Sequence, residues 1–342
     1  MTFAKTLRRS AKKVATAVLA TVTAAGLAVS GAGVAHADPR ADLRPGCTWD
    51  PVQYFVQDCK VPSPSMARDI HVLIKPAARG GNAGLYMLDG MRASDNFTGW
   101  TAWAHTAQTY VEDNITVAMP IGGAGSFYAD WIGPAKFNAP FGSSETPLIY
   151  KWETFLSQEL PTYLEQNFGV ARNNNSIAGL SMGGTAALNL SARHPEQFRQ
   201  ALSYSGYPTT TLPGAYAVMG AALIEVGGFN INNMYGALFD PARFANDPLW
   251  NMDGLQGKDI YVSAASGLWG GPDMSVNLKD RVIGSGLEGL ANISTRTWEA
   301  KAHMSGLNVT SDYPPLGIHN WFNWDWQMQR THDRVLDVMG AR

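Results

Sequence analysis

Gly179-Leu180-Ser181-Met182-Gly183 is the stretch of this chain best equipped for chemistry. A serine hydroxyl is a weak nucleophile until it is exposed beside a base, and G-x-S-x-G supplies such a position at a sharp strand-to-helix turn. The residues two places to either side must lack side chains for the chain to double back so tightly. Ser176-Ile177-Ala178 precedes the motif and Thr185-Ala186-Ala187-Leu188 follows it, giving the strand and the helix that the turn requires. Gly183, Gly184, Ala186 and Ala187 let that helix press against the sheet. Its N-terminus beneath Ser181 favours the negative charge that develops during acyl transfer.

The serine needs a histidine and an acid, in the chain order Ser…Asp/Glu…His of α/β-hydrolases. His194, His303, His319 and His332 follow it. His194 sits near the far end of the elbow's own helix, and His332 reads as a solvated position inside a closing helix. His303 follows an expected strand in a charged stretch. His319, in Gly317-Ile318-His319-Asn320-Trp321, falls in the loop before the closing helix and is the preferred base. Two acids stay open. Position slightly prefers Asp273, in the loop after a strand at 260–265, over Glu288 in Gly286-Leu287-Glu288-Gly289. The oxyanion is expected to meet the backbone N–H of Met182 and that of Met91, or a neighbour, in the loop after a strand at 85–88.

The elements that position these residues alternate. Strands are expected at 69–75, 85–88, 115–119, 176–180, 201–204, 260–265 and 295–298, and helices near 101–111, 152–168 (despite Pro161), from the elbow to 193, and at 321–339. This order predicts an α/β-hydrolase fold, a mainly parallel central sheet with helices on both faces. The run 212–236, rich in Ala, Gly, Val, Leu, Ile and Met, reads as an insertion: an apolar lid or channel wall, or an amphipathic helix pair.

The first residues carry Lys5, Arg8, Arg9, Lys12 and Lys13, then an alanine-rich apolar run, then Ala35-His36-Ala37. This is the pattern of a secretory signal peptide over 1–37, and it predicts export to the cell envelope with no stable membrane anchor. Without those five cations, 21 basic residues face 28 acidic ones, a net charge of −7 that argues against nucleic acid or anionic membrane as main partner. The remaining chain divides into an N-terminal extension at 38–64 and a catalytic domain at 65–342. The two cysteines, Cys47 and Cys59, both lie in that extension and are expected to form one disulfide. No histidine pair stands near them at ligand spacing, so neither a metal nor any other cofactor is expected.

Several motifs in one order make the chain similar to the secreted mycolyltransferases of the antigen 85 family. They include Leu88-Asp89-Gly90-Met91-Arg92-Ala93, Asn96-Phe97-Thr98-Gly99-Trp100, Ser126-Phe127-Tyr128-Ala129-Asp130-Trp131 and Tyr150-Lys151-Trp152-Glu153. Gly179-Leu180-Ser181-Met182, Leu287-Glu288-Gly289 and His319-Asn320-Trp321-Phe322-Asn323-Trp324 continue the series. The resemblance implies Ser181 as nucleophile, Glu288 (against the positional argument) as acid and His319 as base, with Met91 and Met182 as oxyanion donors. It implies Asp89, Arg92 and Trp321 as the lining of a trehalose pocket. Trehalose monomycolate and other mycolate esters are the implied donors, and cell-wall arabinogalactan is an implied acceptor. The Cys47–Cys59 extension, and the segment 135–148 in place of a cysteine-bridged loop, look more like the corynebacterial or rhodococcal branch. The same triad would also serve a secreted carboxylesterase of the esterase D type, and a non-catalytic cell-wall-binding protein is the remaining class.

Overall fold

The computed structural model describes residues 38–136 and 147–342; the signal peptide expected at 1–37 and most of the segment 135–148 lie outside the described residues. Among the described residues nine strands form one sheet: β1 (Cys47–Trp49), β2 (Gln57–Ser63), β3 (Arg68–Lys75), β4 (Ala83–Leu88), β5 (Ile115–Pro120), β6 (Asn175–Leu180), β7 (Phe198–Tyr204), β8 (Asp259–Ser263) and β9 (Val309–Asp312). Their spatial order is β1-β2-β3-β5-β4-β6-β7-β8-β9. From β5 to β9 every pairing is parallel, while β1, β2 and β3 join antiparallel at one side. The extension at 38–64 therefore contributes two strands to the common sheet. Cys47 and Cys59 are register partners on β1 and β2 and are disulfide-bonded.

The central strands are buried on both sides, as a parallel sheet between helices requires. Along β4, Tyr86 and Leu88 face one core and Leu85 and Met87 the other. The helices are α1 (Gly99–Ala102), α2 (Thr106–Thr109), α3 (Trp152–Thr154), α4 (Leu160–Phe168), α5 (Met182–Arg193), α6 (Ala215–Gly227), α7 (Ile231–Tyr235), α8 (Pro241–Ala245), α9 (Leu278–Met304) and α10 (Trp321–Met339). Leu160 and Leu164 of α4, Leu188 and Leu190 of α5 and Trp298 of α9 fill the first core. Trp100 of α1, Ala107 of α2 and Trp324, Met328 and Val335 of α10 fill the second. A π-helical turn, Phe155–Glu159, joins α3 to α4, and the Leu160 N–H reaches back to the Phe155 carbonyl. Pro161 follows that wide turn directly, and the turn lets a residue without an N–H sit inside the helical run.

Two expectations change. Residues 295–298 are helical: the Asn277 side chain caps α9, and Ala291, Thr295, Trp298 and Ala302 are buried at helical spacing. Core packing of that face overrides the strand preference of Thr295 and Trp298, and the last strand is β9 instead. The single helix expected near 101–111 is two short turns, α1 and α2, of four residues each. The insertion at 212–236 folds as α6 and α7, and Leu223 is the one fully buried residue of α6. On α9 the outward face carries exposed Leu278, Val282, Ile283, Leu287, Leu290 and Ile293.

Candidate active site

The site forms where the strand order reverses, between the carboxyl ends of β4 and β6, the usual position of ligand sites in open parallel sheets. Ser181 stands at the turn from β6 to α5 with φ 54° and ψ −120°, a strained backbone for a residue with a side chain. The glycines explain how the turn survives. A Cβ on Gly183 would lie 2.5 Å from the Leu88 carbonyl oxygen, and one on Gly179 would collide with the Gly183 backbone. On the opposite side Gly90 lets the β4 loop close in: a Cβ there would come within 2.8 Å of Leu180 Cδ1 and 3.5 Å of Ser181 Cβ. The Gly90–Met91 peptide thus runs beside the serine, and Met182 opens α5, where the N–H has no intrahelical acceptor. Met91 is fixed in turn by its carbonyl, which accepts the Gly125 N–H at 3.0 Å.

His319 links the two arms of the site. Its Nε2 is 2.9 Å from Ser181 Oγ and its Nδ1 is 2.8 Å from Glu288 Oε2. Glu288 is fully buried on the inward face of α9, and its other oxygen accepts from the Ser205 hydroxyl at 2.9 Å and the Ala265 N–H at 2.7 Å. Such a carboxylate, surrounded by neutral donors and aimed at one imidazole, is held in place and can stabilise the imidazolium. The Trp324 ring stands edge-on to His319 at 4.9 Å, and its Nε1 donates to Ser205 Oγ.

Asp273 lies elsewhere in the network. Its Oδ1 accepts from Asn320 Nδ2 and its Oδ2 from the Gly270 N–H, so it orients the residue that caps α10. The remaining histidines are engaged outside the site. His194 meets Glu153 at 2.9 Å and His303 meets Glu299 at 3.6 Å. His332 is not a solvated helix position: it contacts Asp113 at 2.6 Å and leans on Tyr110.

Of the expected pocket residues, Asp89 is buried between the β4 loop and α1. Its Oδ2 accepts the Gly99 N–H at 3.3 Å and its Oδ1 has no partner among the described residues. Burial pushes its carboxyl up to about 7, against the pull of hydrogen bonds from Thr98 and Gly99. Arg92, largely exposed, pairs with Glu225 of α6. Trp321 packs against Trp100, Trp103 and Trp324. Ser205 and Asn292 escaped the sequence reading. Asn292, one turn beyond Glu288 on α9, donates from Nδ2 to the Ala264 and Ala265 carbonyls, and Arg296 donates to its Oδ1. The i, i+4 spacing of Glu288 and Asn292 was the available signal, but nothing local ties it to residues 264 and 265. Among the described residues no cluster of side chains could hold a metal ion.

A serine elbow beside a histidine and a buried carboxylate, on a largely parallel sheet sandwiched by helices, defines an α/β-hydrolase-fold protein of the serine type. The model of the putative esterase family matches residues 63–335. The Ag85B diacylglycerol acyltransferase/mycolyltransferase of Mycolicibacterium smegmatis is 34% identical, covering 99% of this chain and 100% of that protein. Ag85A of Mycobacterium leprae is 35% identical over 90% of this chain and 88% of its own length. The crystal structure of Mycobacterium tuberculosis MPT51 superposes with a TM-score of 0.71 at 26% identity, covering 83% of this chain and 98% of that one. The serine hydrolase FphF of Staphylococcus aureus, at 14% identity and a TM-score of 0.59 over 82% of this chain and 97% of its own, shares the fold. The chain belongs to the putative esterase family and, within it, to the antigen 85 mycolyltransferases.

Proposed function

We propose that this exported protein moves a mycoloyl group from trehalose monomycolate to a sugar hydroxyl, through an acyl-enzyme on Ser181. The observation that carries the reading is the unbroken line Ser181 Oγ, His319 Nε2, His319 Nδ1, Glu288 Oε2, with links of 2.9 and 2.8 Å. His319 takes the serine proton as Oγ attacks the ester carbonyl. The negative oxygen of the tetrahedral intermediate meets the N–H groups of Met182 and Met91, and Glu288 stabilises the charged imidazole. The intermediate collapses, the ester C–O bond breaks, and His319 returns the proton to the departing trehalose oxygen. An acceptor hydroxyl then enters, loses its proton to His319 and attacks the acyl carbonyl; the second tetrahedral intermediate collapses, the bond to Ser181 Oγ breaks, and His319 returns the proton to Oγ. That acceptor is a second trehalose monomycolate, giving the dimycolate, or the arabinan of the cell wall.

The Asp89 carboxyl, buried with one oxygen unpartnered among the described residues, supports a polyhydroxyl ligand at this position, and the Gly99 backbone that donates to it lies against the Trp321 ring. The decisive test is to incubate the protein with trehalose monomycolate and identify the lipid products. Dimycolate is the expected result. Free mycolic acid alone would make the protein an esterase, and no turnover at all would overturn the catalytic reading.

A further inference from the structure

A row of aromatic rings leads from His319 to the surface. His319 meets Trp324 at 4.9 Å, Trp324 meets Trp321 at 5.3 Å, Trp321 meets Trp103 at 5.3 Å, and Trp103 meets Phe97 at 5.1 Å. Exposure rises along the row. Trp324 is 6% exposed, Trp321 is half-buried and Trp103 is 54% exposed. The inner rings fill the core around α10, but the outer ones do not. Trp103 and Phe322, 52% exposed, wall an open cleft of about 300 Å³ together with Trp321, Asn320 and Val276. Water disfavours large aromatic faces left open in this way, and covering one with a ligand stabilises the complex.

We propose that this cleft is a second sugar subsite, holding the part of a neutral oligosaccharide acceptor that extends beyond the ring presenting its hydroxyl to His319. Three features select that ligand. None of the five lining residues carries a charge, which excludes an anionic headgroup or a phosphorylated sugar as the favoured ligand. The walls are flat indole and phenyl faces, which match the C–H face of a sugar ring while its hydroxyls stay in water. The cleft is open to solvent, so it would leave an acyl chain half wet, whereas a sugar loses little by the same exposure. Its inner wall, Asn320-Trp321, follows directly on His319 in the chain. The indole of Trp321 lines the cleft and also lies against Gly99, whose N–H binds Asp89.

The proposal rests on the transferase reading for its acceptor, but the subsite can be tested apart from it. Titrate the whole protein calorimetrically with a short linear arabinofuranan oligosaccharide and, separately, with trehalose, in the wild type and in Trp103→Ala, Phe322→Ala and Trp103→Tyr. Trp103→Ala and Phe322→Ala are expected to weaken the oligosaccharide about tenfold each, with a much smaller change for trehalose, and Trp103→Tyr to restore most of the loss. Equal losses for both sugars, or none for either, would overturn the subsite. A dependence of turnover on donor chain length that vanishes in Trp103→Ala, with oligosaccharide binding untouched, would assign the cleft to the acyl chain and also overturn it. Trp103-dependent binding in a protein that transfers to no sugar would leave the subsite standing and sink the transferase reading alone.

Discussion

The two arms that meet at His319 are held by different forces. On the serine arm the constraint is steric: the backbone of the elbow, the β4 loop and the first turn of α5 touch so closely that glycine alone fits at 179 and 183. On the acid arm the constraint is polar. Glu288 accepts from His319, Ser205 and Ala265, while Asn292 grips the carbonyls of the same loop that lends the Ala265 N–H. One short segment is therefore held by both polarities of its peptide groups, from two side chains a turn apart on α9. Steric constraints fail all at once. A hydrogen-bonded arm loses its function in steps, one partner at a time.

The largest step is removal of the proposed nucleophile. Ser181→Ala should abolish acylation, by about 10⁴-fold or more, while the fold and thermal stability stay near wild type, because the hydroxyl fills little volume. A chromogenic short-chain ester read in single turnover checks this, and a folded variant that still acylates would dismantle the serine arm. On the acid arm, Glu288→Gln keeps the shape and removes the charge, so a loss of about 10³–10⁴-fold is expected. Asp273→Asn should cost far less in the same assay, since Asp273 holds Asn320 and Gly270 and not His319. The opposite ranking would move the acid to Asp273.

A smaller step sharpens the contrast. Asn292→Ala leaves two carbonyls of the acid arm without its amide, and a fall of about tenfold in kcat at nearly constant KM is expected. Unchanged kcat would mean that the loop holds itself.

The smallest effect is on stability. Asp89 is held at about 7 by desolvation, well above its value of roughly 3.9 in an unfolded chain. The folded state therefore binds this proton more tightly, so the associated stability is complete below about pH 4 and is lost as the pH rises toward 7. Asp89→Asn should raise the melting temperature relative to wild type more at about pH 8 than at about pH 4, while weakening trehalose. Melting curves at the two pH values decide it, and an equal shift at both would remove the proton from the account.

Much of the serine arm was readable in the sequence, because a strand, a turn and small helical residues are contiguous there. His319 was readable too, from its place before the closing helix. The acid was not. Glu288 sits mid-helix between two glycines, and what makes it the partner of His319 is the inward face of α9 against residues 205 and 265, set by packing far away in sequence. The strand expected at 295–298 failed for the same reason, as its β-branched and aromatic residues fill a helical face. Sequence resemblance supplied Glu288 where local reasoning favoured Asp273.

The outward face of α9 has a consequence for handling the protein. Leu278, Val282, Ile283, Leu287, Leu290 and Ile293 form an apolar stripe facing water on the helix that carries Glu288. Such a stripe gives concentrated solutions a tendency to self-associate and to coat plastic, glass and detergent micelles, and a modest net charge opposes this only weakly. Protein concentration and vessel surface are therefore variables in any rate measured on this chain. Dilution that raises specific activity would be the colloidal signature of that stripe.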